Sequence, residues 1–386
     1  MKKILAMLLA LVMVLGLVAC GGNAPETTPA ETNPAESTPA VSDVEYKIAM
    51  ITDYGDITDQ SFNQTTYEAC KQFADANGVA FNYYKPQGDS DAERIGMVDA
   101  AIADGYNIIV MPGYAFANTI KASAELYPDV LFFALDVGPG DFGDYVLPAN
   151  VYSAIYQEEL CGYMAGYAAV KLGYKHLGFL GGMAVPAVIR YGYGFVQGVD
   201  AAAKDMGIVG EVKLDYVYGN QFFGDADITA VMDTWYAEKG VECVFACGGA
   251  IYTSAAEAAV KVGGKVIGVD VDQAAIINGL YGDGLTVTSA MKGLAPTTLD
   301  TLADIVLNGN WAAYSGQIAT LGLVSADPEA NYVQIPMEST QWGETFTQDD
   351  YKAMVSGMFD GTIIVSADIE NAPATEIAVE YHPNIK

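Results

Sequence analysis

The residues with the most chemistry to offer stand in short runs directly after apolar segments. The first run, Asp53-Tyr54-Gly55-Asp56-Ile57-Thr58-Asp59-Gln60-Ser61-Phe62-Asn63, mixes carboxylates, amides and aromatic rings. Pro112-Gly113-Tyr114 and Asp136 follow two further apolar runs. Later come Tyr218-Gly219-Asn220-Gln221-Phe222-Phe223, Cys247-Gly248-Gly249 and Asp270-Val271-Asp272-Gln273. Carboxylates and amides read polar edges, rings stack on flat or hydroxylated solutes, and paired glycines let backbone approach a ligand closely. This is the chemistry of recognition.

Catalytic sets are missing. There is no Gly-x-Ser-x-Gly elbow and no phosphate loop ending in Gly-Lys-Ser/Thr. The only two histidines, His176 and His382, stand far apart in sequence and read as satisfied or exposed side chains. Gly192-x-Gly194 falls inside a helical pattern, so it is no dinucleotide fingerprint. Asp270-x-Asp272 lacks the rest of a calcium loop, and Cys70, Cys161, Cys243 and Cys247 lack zinc spacing. We therefore expect no enzyme, no metal and no cofactor. The four cysteines read as small buried residues, with a disulfide left open.

These runs need elements to position them. Tyr46–Thr52 reads as a buried strand, 61–77 as a helix stopped by Gly78, and 79–84 as the next strand. Helices over 92–104 and 119–126 alternate with strands over 108–112 and 130–136. After a tyrosine-rich crossing near Asn150 the alternation restarts. Helices are expected over 157–172, 186–206, 226–239 and 253–262, and strands over 176–180, 212–217, 244–246 and 265–269. Such alternation implies α/β architecture: parallel sheets with helices on both faces, in two successive halves. Ligands meet such sheets at the carboxyl ends of the strands, where the polar and aromatic runs stand.

The N-terminus reads as an export signal. Met1-Lys2-Lys3 precedes an apolar run over 4–19, too short and one-sided for a comfortable membrane span. It ends in Leu17-Val18-Ala19-Cys20-Gly21, which looks like a bacterial lipoprotein box, so we expect a signal peptide over 1–19 and lipidation at Cys20. Residues 20–44 are rich in Pro, Thr, Glu and Ala and read as a tether that cannot bury enough surface to order itself. The whole chain carries a net charge of −30, which argues against nucleic acid and anionic lipid surfaces as partners.

With these words in order, the body resembles the basic membrane protein family, the purine nucleoside receptors of ABC importers. The matching stretches are Asp59-Gln60-Ser61-Phe62-Asn63-Gln64, Phe179-Leu180-Gly181-Gly182 with Pro186, and Gly194-Phe195. Ala246-Cys247-Gly248-Gly249, Gly268-Val269-Asp270-Val271-Asp272-Gln273 and Thr288-Ser289-Ala290-Met291-Lys292 complete the set. The resemblance implies a type I periplasmic-binding-protein fold: two Rossmann-like lobes, three crossings and a hinged cleft. We expect 45–150 plus about 288–320 in the N-terminal lobe and 151–287 plus about 321–386 in the C-terminal lobe.

It also implies roles. Tyr54 would form one wall against a base and Phe222 or Phe223 the other, with the alternative that the two phenylalanines are core. Asp59 and Asn63 would read the base edge, or Asp59 would cap the helix that follows. Asp270 would hold the ribose hydroxyls and Lys292 would bond the sugar. Gly248 and Gly249 would bring backbone close to it, while Tyr114 and Asp136 stand at the cleft edge. One departure is visible, since Asp53-Tyr54-Gly55-Asp56-Ile57-Thr58 is less glycine-rich than the family form. The expected partners are a nucleoside, an ABC permease and, through the lipid, the membrane. A sugar or other hydroxylated solute, or a signalling receptor, stays open as an alternative.

Overall fold

The computed structural model describes residues 44–386; the expected signal peptide, Cys20 and the tether up to residue 43 lie outside the described residues. The first half opens with β1 (Lys47–Ile51), α1 (Phe62–Asn77), β2 (Ala80–Tyr84), α2 (Asp91–Ala103) and β3 (Ile108–Pro112). It continues through α3 (Ala117–Ser123), β4 (Leu131–Leu135), the single turn α4 (Pro139–Phe142) and β5 (Val151–Tyr156). The second half follows with α5 (Glu158–Lys171), β6 (His176–Gly181), α6 (Pro186–Met206), β7 (Lys213–Tyr218) and α7 (Ala226–Thr234). Next come β8 (Cys243–Cys247), α8 (Tyr252–Ala259), β9 (Lys265–Asp270), α9 (Ala274–Tyr281) and β10 (Thr286–Lys292). The chain ends in α10 (Leu294–Val306), β11 (Gln317–Leu321), β12 (Val333–Gln334), α11 (Gln348–Phe359) and β13 (Ala378–Tyr381).

Two sheets result, of order β11-β5-β4-β3-β1-β2 and β12-β10-β9-β8-β6-β7-β13. Every pairing is parallel except that of β10 with the short β12. The cause is visible in the strands, whose apolar runs bury both faces. Ile48, Met50, Ile108 and Val110 enter one core, while Ala49, Ile51, Ile109 and Met111 enter the core on the opposite face. This is the two-lobed α/β architecture that the resemblance implied.

Two of the three crossings fall a few residues later than expected, and the third stands near 320 as expected. The tyrosine-rich stretch near Asn150 is not itself a crossing but β5, paired with β4 and β11 in the first sheet. Tyr152 and Tyr156 bury their rings there, so a segment that reads as mixed is a core strand. The chain leaves the first sheet after Tyr156. It returns after Lys292 and not near 288, because β10 belongs to the second sheet. The third crossing follows β11.

Helices α5 and α6 pack with unusual closeness. Gly162 and Gly166 on α5 face Gly194 and Gly198 on α6, and a Cβ at any of the four would collide with backbone of the facing helix. Gly194 is thus a packing residue, which explains why a glycine pair can sit mid-helix despite its cost. The close fit fixes Glu158, Arg190 and Tyr191 beside one another at the cleft. The four described cysteines are buried and unpaired.

Candidate functional site

All eleven residues singled out as ligand-facing line one cavity of about 430 Å³, a size suited to a small solute. Tyr54, Asp59, Asn63, Tyr114 and Asp136 reach it from the carboxyl edge of the first sheet. Phe222, Phe223, Gly248, Gly249, Asp270 and Lys292 reach it from the second. Backbone strain gathers along the same edges. Gln60, Asp136, Asn220 and Asp270 are the four described non-glycine residues with positive φ: Asp136 and Asn220 sit just past strand ends, Asp270 at one, and Gln60 in the β1–α1 loop just before the helix. Asp and Asn tolerate this conformation better than most residues, and such strain concentrates where function dictates side-chain aim.

The walls are aromatic. Tyr54 and Tyr114 enter from the first half, and each hydroxyl donates to Met183 Sδ of the second half at 3.5 Å. Phe222 lies on Gly182 and Gly248; a Cβ on Gly248 would stand 2.8 Å from the ring. Gly248 and Gly249, with φ of 148° and 53°, hold a turn that also leaves room for the Phe222 backbone. Phe223 is 54% exposed at the rim. The two phenylalanines therefore divide the work: Phe222 is the seated wall and Phe223 the outer edge.

The floor is a buried charge cluster. The Lys292 ammonium bonds Asp136, lies 3.3 Å from Glu158 Oε1 and 3.6 Å from Asp270 Oδ1, and sits 4.7 Å from the Phe62 ring centroid. Burial opposes its charge, but the three surrounding carboxylates outweigh that and hold its pKa above the ordinary range. Asp136 moves the other way: burial raises it to about 7 despite Lys292, and its Oδ1 has no partner. Glu158, 0% exposed, also accepts from Arg190 Nε at 2.6 Å. Asp270 accepts from Ser61 Oγ at 2.6 Å and from the Tyr191 hydroxyl at 3.3 Å. Lys292 thus lines the cavity while paired with three acids.

Asp59 proves to be a helix cap. Its carboxylate accepts from the N–H groups of Ser61, Asn63 and Gln64 at 2.9, 2.9 and 3.1 Å, at the start of α1. Asn63 Nδ2 donates to Asp59 at 3.0 Å and to Asp53 at 3.3 Å, so two carboxylates fix the orientation of this amide. Burial raises the pKa of both Asp53 and Asp59.

Sequence reasoning missed Glu158, Arg190, Tyr191 and Met183. The first three are ordinary helical residues in sequence, and only the α5–α6 contact brings them together. Met183 follows the quoted Gly181-Gly182 pair and carries no signature of its own. A second convergence also escaped notice: both histidines meet on one carboxylate. His176 Nε2 and His382 Nε2 each lie 2.6 Å from Asp215, as Lys239 Nζ does at 2.5 Å. Asp215, Glu380 and His382 could group around a metal ion. The Lys239 ammonium already occupies that centre, 3.2 Å from Glu380 and 3.3 Å from His382, so the cluster carries its own cation. Both histidines bond Asp215 through Nε2, and the buried Nδ1 of His176 has no partner.

Residues 46–335 match the family described as ABC transporter substrate-binding protein PnrA-like. The chain is 26% identical over 296 residues to the ABC transporter nucleoside-binding protein BmpA of Lactococcus lactis subsp. cremoris, covering 72% of this chain and 79% of that protein. It is 27% identical over 293 residues to basic membrane protein B of Borreliella afzelii, covering 72% and 78%. Among solved structures, an ABC transporter solute-binding protein from Aeropyrum pernix aligns with a TM-score of 0.64 at 20% identity, over 83% of this chain and 87% of that one. That last likeness speaks for the fold.

Proposed function

This chain belongs to the family of PnrA-like substrate-binding proteins of ABC transporters, and from that premise we propose that it captures a purine nucleoside outside the cytoplasm and presents it to a permease. The observation that carries the reading is the cavity itself. An aromatic residue from each half (Tyr54 and Phe222) lines it, above strand-end carboxylates from each half (Asp136 and Asp270). Stacking on one ring is worth about 1–3 kcal/mol per base, judged from nucleic-acid proteins. A carboxylate at a strand end can accept from both vicinal hydroxyls of a ribose. The relative from Lactococcus lactis carries a nucleoside-binding name, which supports the same ligand class.

Charge narrows the class further. Asp53, Asp56, Asp59, Asp136 and Asp270 line the cavity against two cations, Lys85 paired with Asp56 and the buried Lys292 paired with three acids, so the enclosure is acidic on balance. A nucleotide would add phosphate charge to this acidic enclosure, at a cost that the neutral nucleoside avoids. In this reading, Cys20 carries the lipid that keeps the body at the membrane surface beside its permease. Calorimetry on the full chain with adenosine, guanosine, inosine, uridine and ribose tests the proposal. Purine nucleosides should bind most tightly. Tight binding of ribose with no binding of any nucleoside would replace this reading with a sugar receptor.

A further inference from the structure

We propose that Met183 is a positioning residue: its sulfur clasps the two cavity tyrosines from across the cleft and slows escape of the bound solute. The loop from β6 to α6 delivers Met183 from the second half, while Tyr54 and Tyr114 come from the loops after β1 and β3 in the first. Both hydroxyls donate to the one sulfur, each at 3.5 Å. Thioether sulfur is a soft, weak acceptor that also packs well against aromatic edges, so it can hold two rings without locking them.

The arrangement joins two tasks in three side chains. Tyr54 and Tyr114 line the cavity, so whatever orients their rings orients the wall that a solute touches. Their common anchor belongs to the other half, so the wall is fully set only when the halves are together. Opening the cleft must break both sulfur contacts before the solute leaves. Closing it re-aims both rings at once. Deeper cross-cleft bonds, such as Ser61 to Asp270, involve groups of the floor and not these rings.

The clasp rests on reading the cavity as a nucleoside site, and the test separates the two. Stopped-flow dissociation of adenosine and guanosine is measured for the full chain and for Met183→Leu, Met183→Gln, Tyr54→Phe and the Met183→Leu/Tyr54→Phe double variant. Leu keeps the apolar volume without an acceptor, and Gln restores one. Met183→Leu should speed dissociation about 3- to 10-fold, as expected for loss of weak sulfur contacts. Association rate and melting temperature should stay unchanged, Met183→Gln should lie nearer the wild type, and Tyr54→Phe should add little on top of Met183→Leu. Unchanged dissociation in Met183→Leu, or fully additive effects in the double variant, overturns the clasp.

If the wild type binds neither nucleoside, the functional reading falls and the clasp is judged by distance. Spin labels at Asp129→Cys and Lys261→Cys, both on exposed loops of opposite halves, are placed in the full chain carrying Cys20→Ser. The remaining cysteines are buried and out of reach of the label. Met183→Leu should then lengthen the mean inter-label distance, and identical distributions overturn the proposal.

Discussion

Replacing Glu159 by glutamine should stabilise the protein in alkali and leave it nearly unchanged in mild acid. Glu159 stands in the first turn of α5, is 2% exposed, and has an Oε2 that no group satisfies. Burial raises its pKa to about 7 from 4.5, with Glu158 adding to the rise and Arg190 opposing it. The folded chain therefore holds this proton more tightly than the unfolded one. Stability from that preference is fully present below the unfolded value and is lost as pH climbs through the folded value. Worked through both protonation equilibria, the loss between pH 5 and pH 8 is about 2.5 kcal/mol. Glutamine keeps the shape and cannot ionise. Its stability relative to wild type should thus rise by about 2.5 kcal/mol across that interval, read by urea unfolding at both pH values with equal m-values. A constant offset at the two pH values would refute the reasoning, because it would mean that Glu159 does not change its ionisation on folding.

Three more outcomes follow from the floor and walls of the cavity. Asp270→Asn should weaken purine ribosides about 10- to 100-fold, the value of charge-assisted hydrogen bonds, and free bases much less; equal losses in calorimetry would contradict a ribose role. Phe222→Ala should cost about 1–3 kcal/mol of nucleoside affinity, and Phe223→Ala less than half as much because that ring is 54% exposed; the same titrations rank the two. Lys292→Met removes the cation from three carboxylates and should cost about 3–5 kcal/mol of folding stability at pH 8. Part of that loss should return as pH falls and Asp136, raised by burial and no longer held down by Lys292, takes up a proton; a pH-independent loss in urea unfolding would count against the charge cluster.

Much of the fold was legible because it rests on local pattern. The strand over 108–112 and the helix over 186–206 match expectation to the residue, one from an unbroken apolar run and the other from Pro186 at its start and Gly207 at its end. The misplaced crossings have a shared cause. Tyr152 and Tyr156 in β5, and Thr286, Thr288 and Ser289 in β10, carry polar atoms that suggest a surface, yet all are buried. Thr288 pairs with Thr340, a residue that no reading of local pattern would bring near it, while the Tyr156 and Thr286 hydroxyls are buried without a partner and are carried by the apolar packing around them. At the site, loops after strands were a sound guide to what faces the cavity. Roles were harder. Asp59 caps α1, and Lys292 is surrounded by acids, because those partners depend on geometry around the first turn and on helices distant in sequence.

The division of labour between floor and walls bears on how the halves can move. Glu158 lies two residues past the end of β5, and Lys292 is the last residue before the chain returns, so their 3.3 Å pairing spans two of the three crossings. A rotation about the crossings displaces groups in proportion to their distance from the axis, so contacts at the crossings change least. The Glu158–Lys292 pair can then stay made throughout, which matters because separating it would leave unpaired ions in an apolar interior. The contacts that must break include those reaching across the cleft from Ser61 to Asp270, from Gln60 to Gln273 and Tyr252, and from both tyrosines to Met183. These are hydrogen bonds of modest net worth, about 0.5–1.5 kcal/mol each for neutral pairs and more for the one to Asp270. Their sum is comparable to the few kcal/mol that separate two populated conformations. A solute needs to add only its own contacts to both halves to make the closed arrangement dominant, and weakening any one cross-cleft bond should appear first in the rate of release.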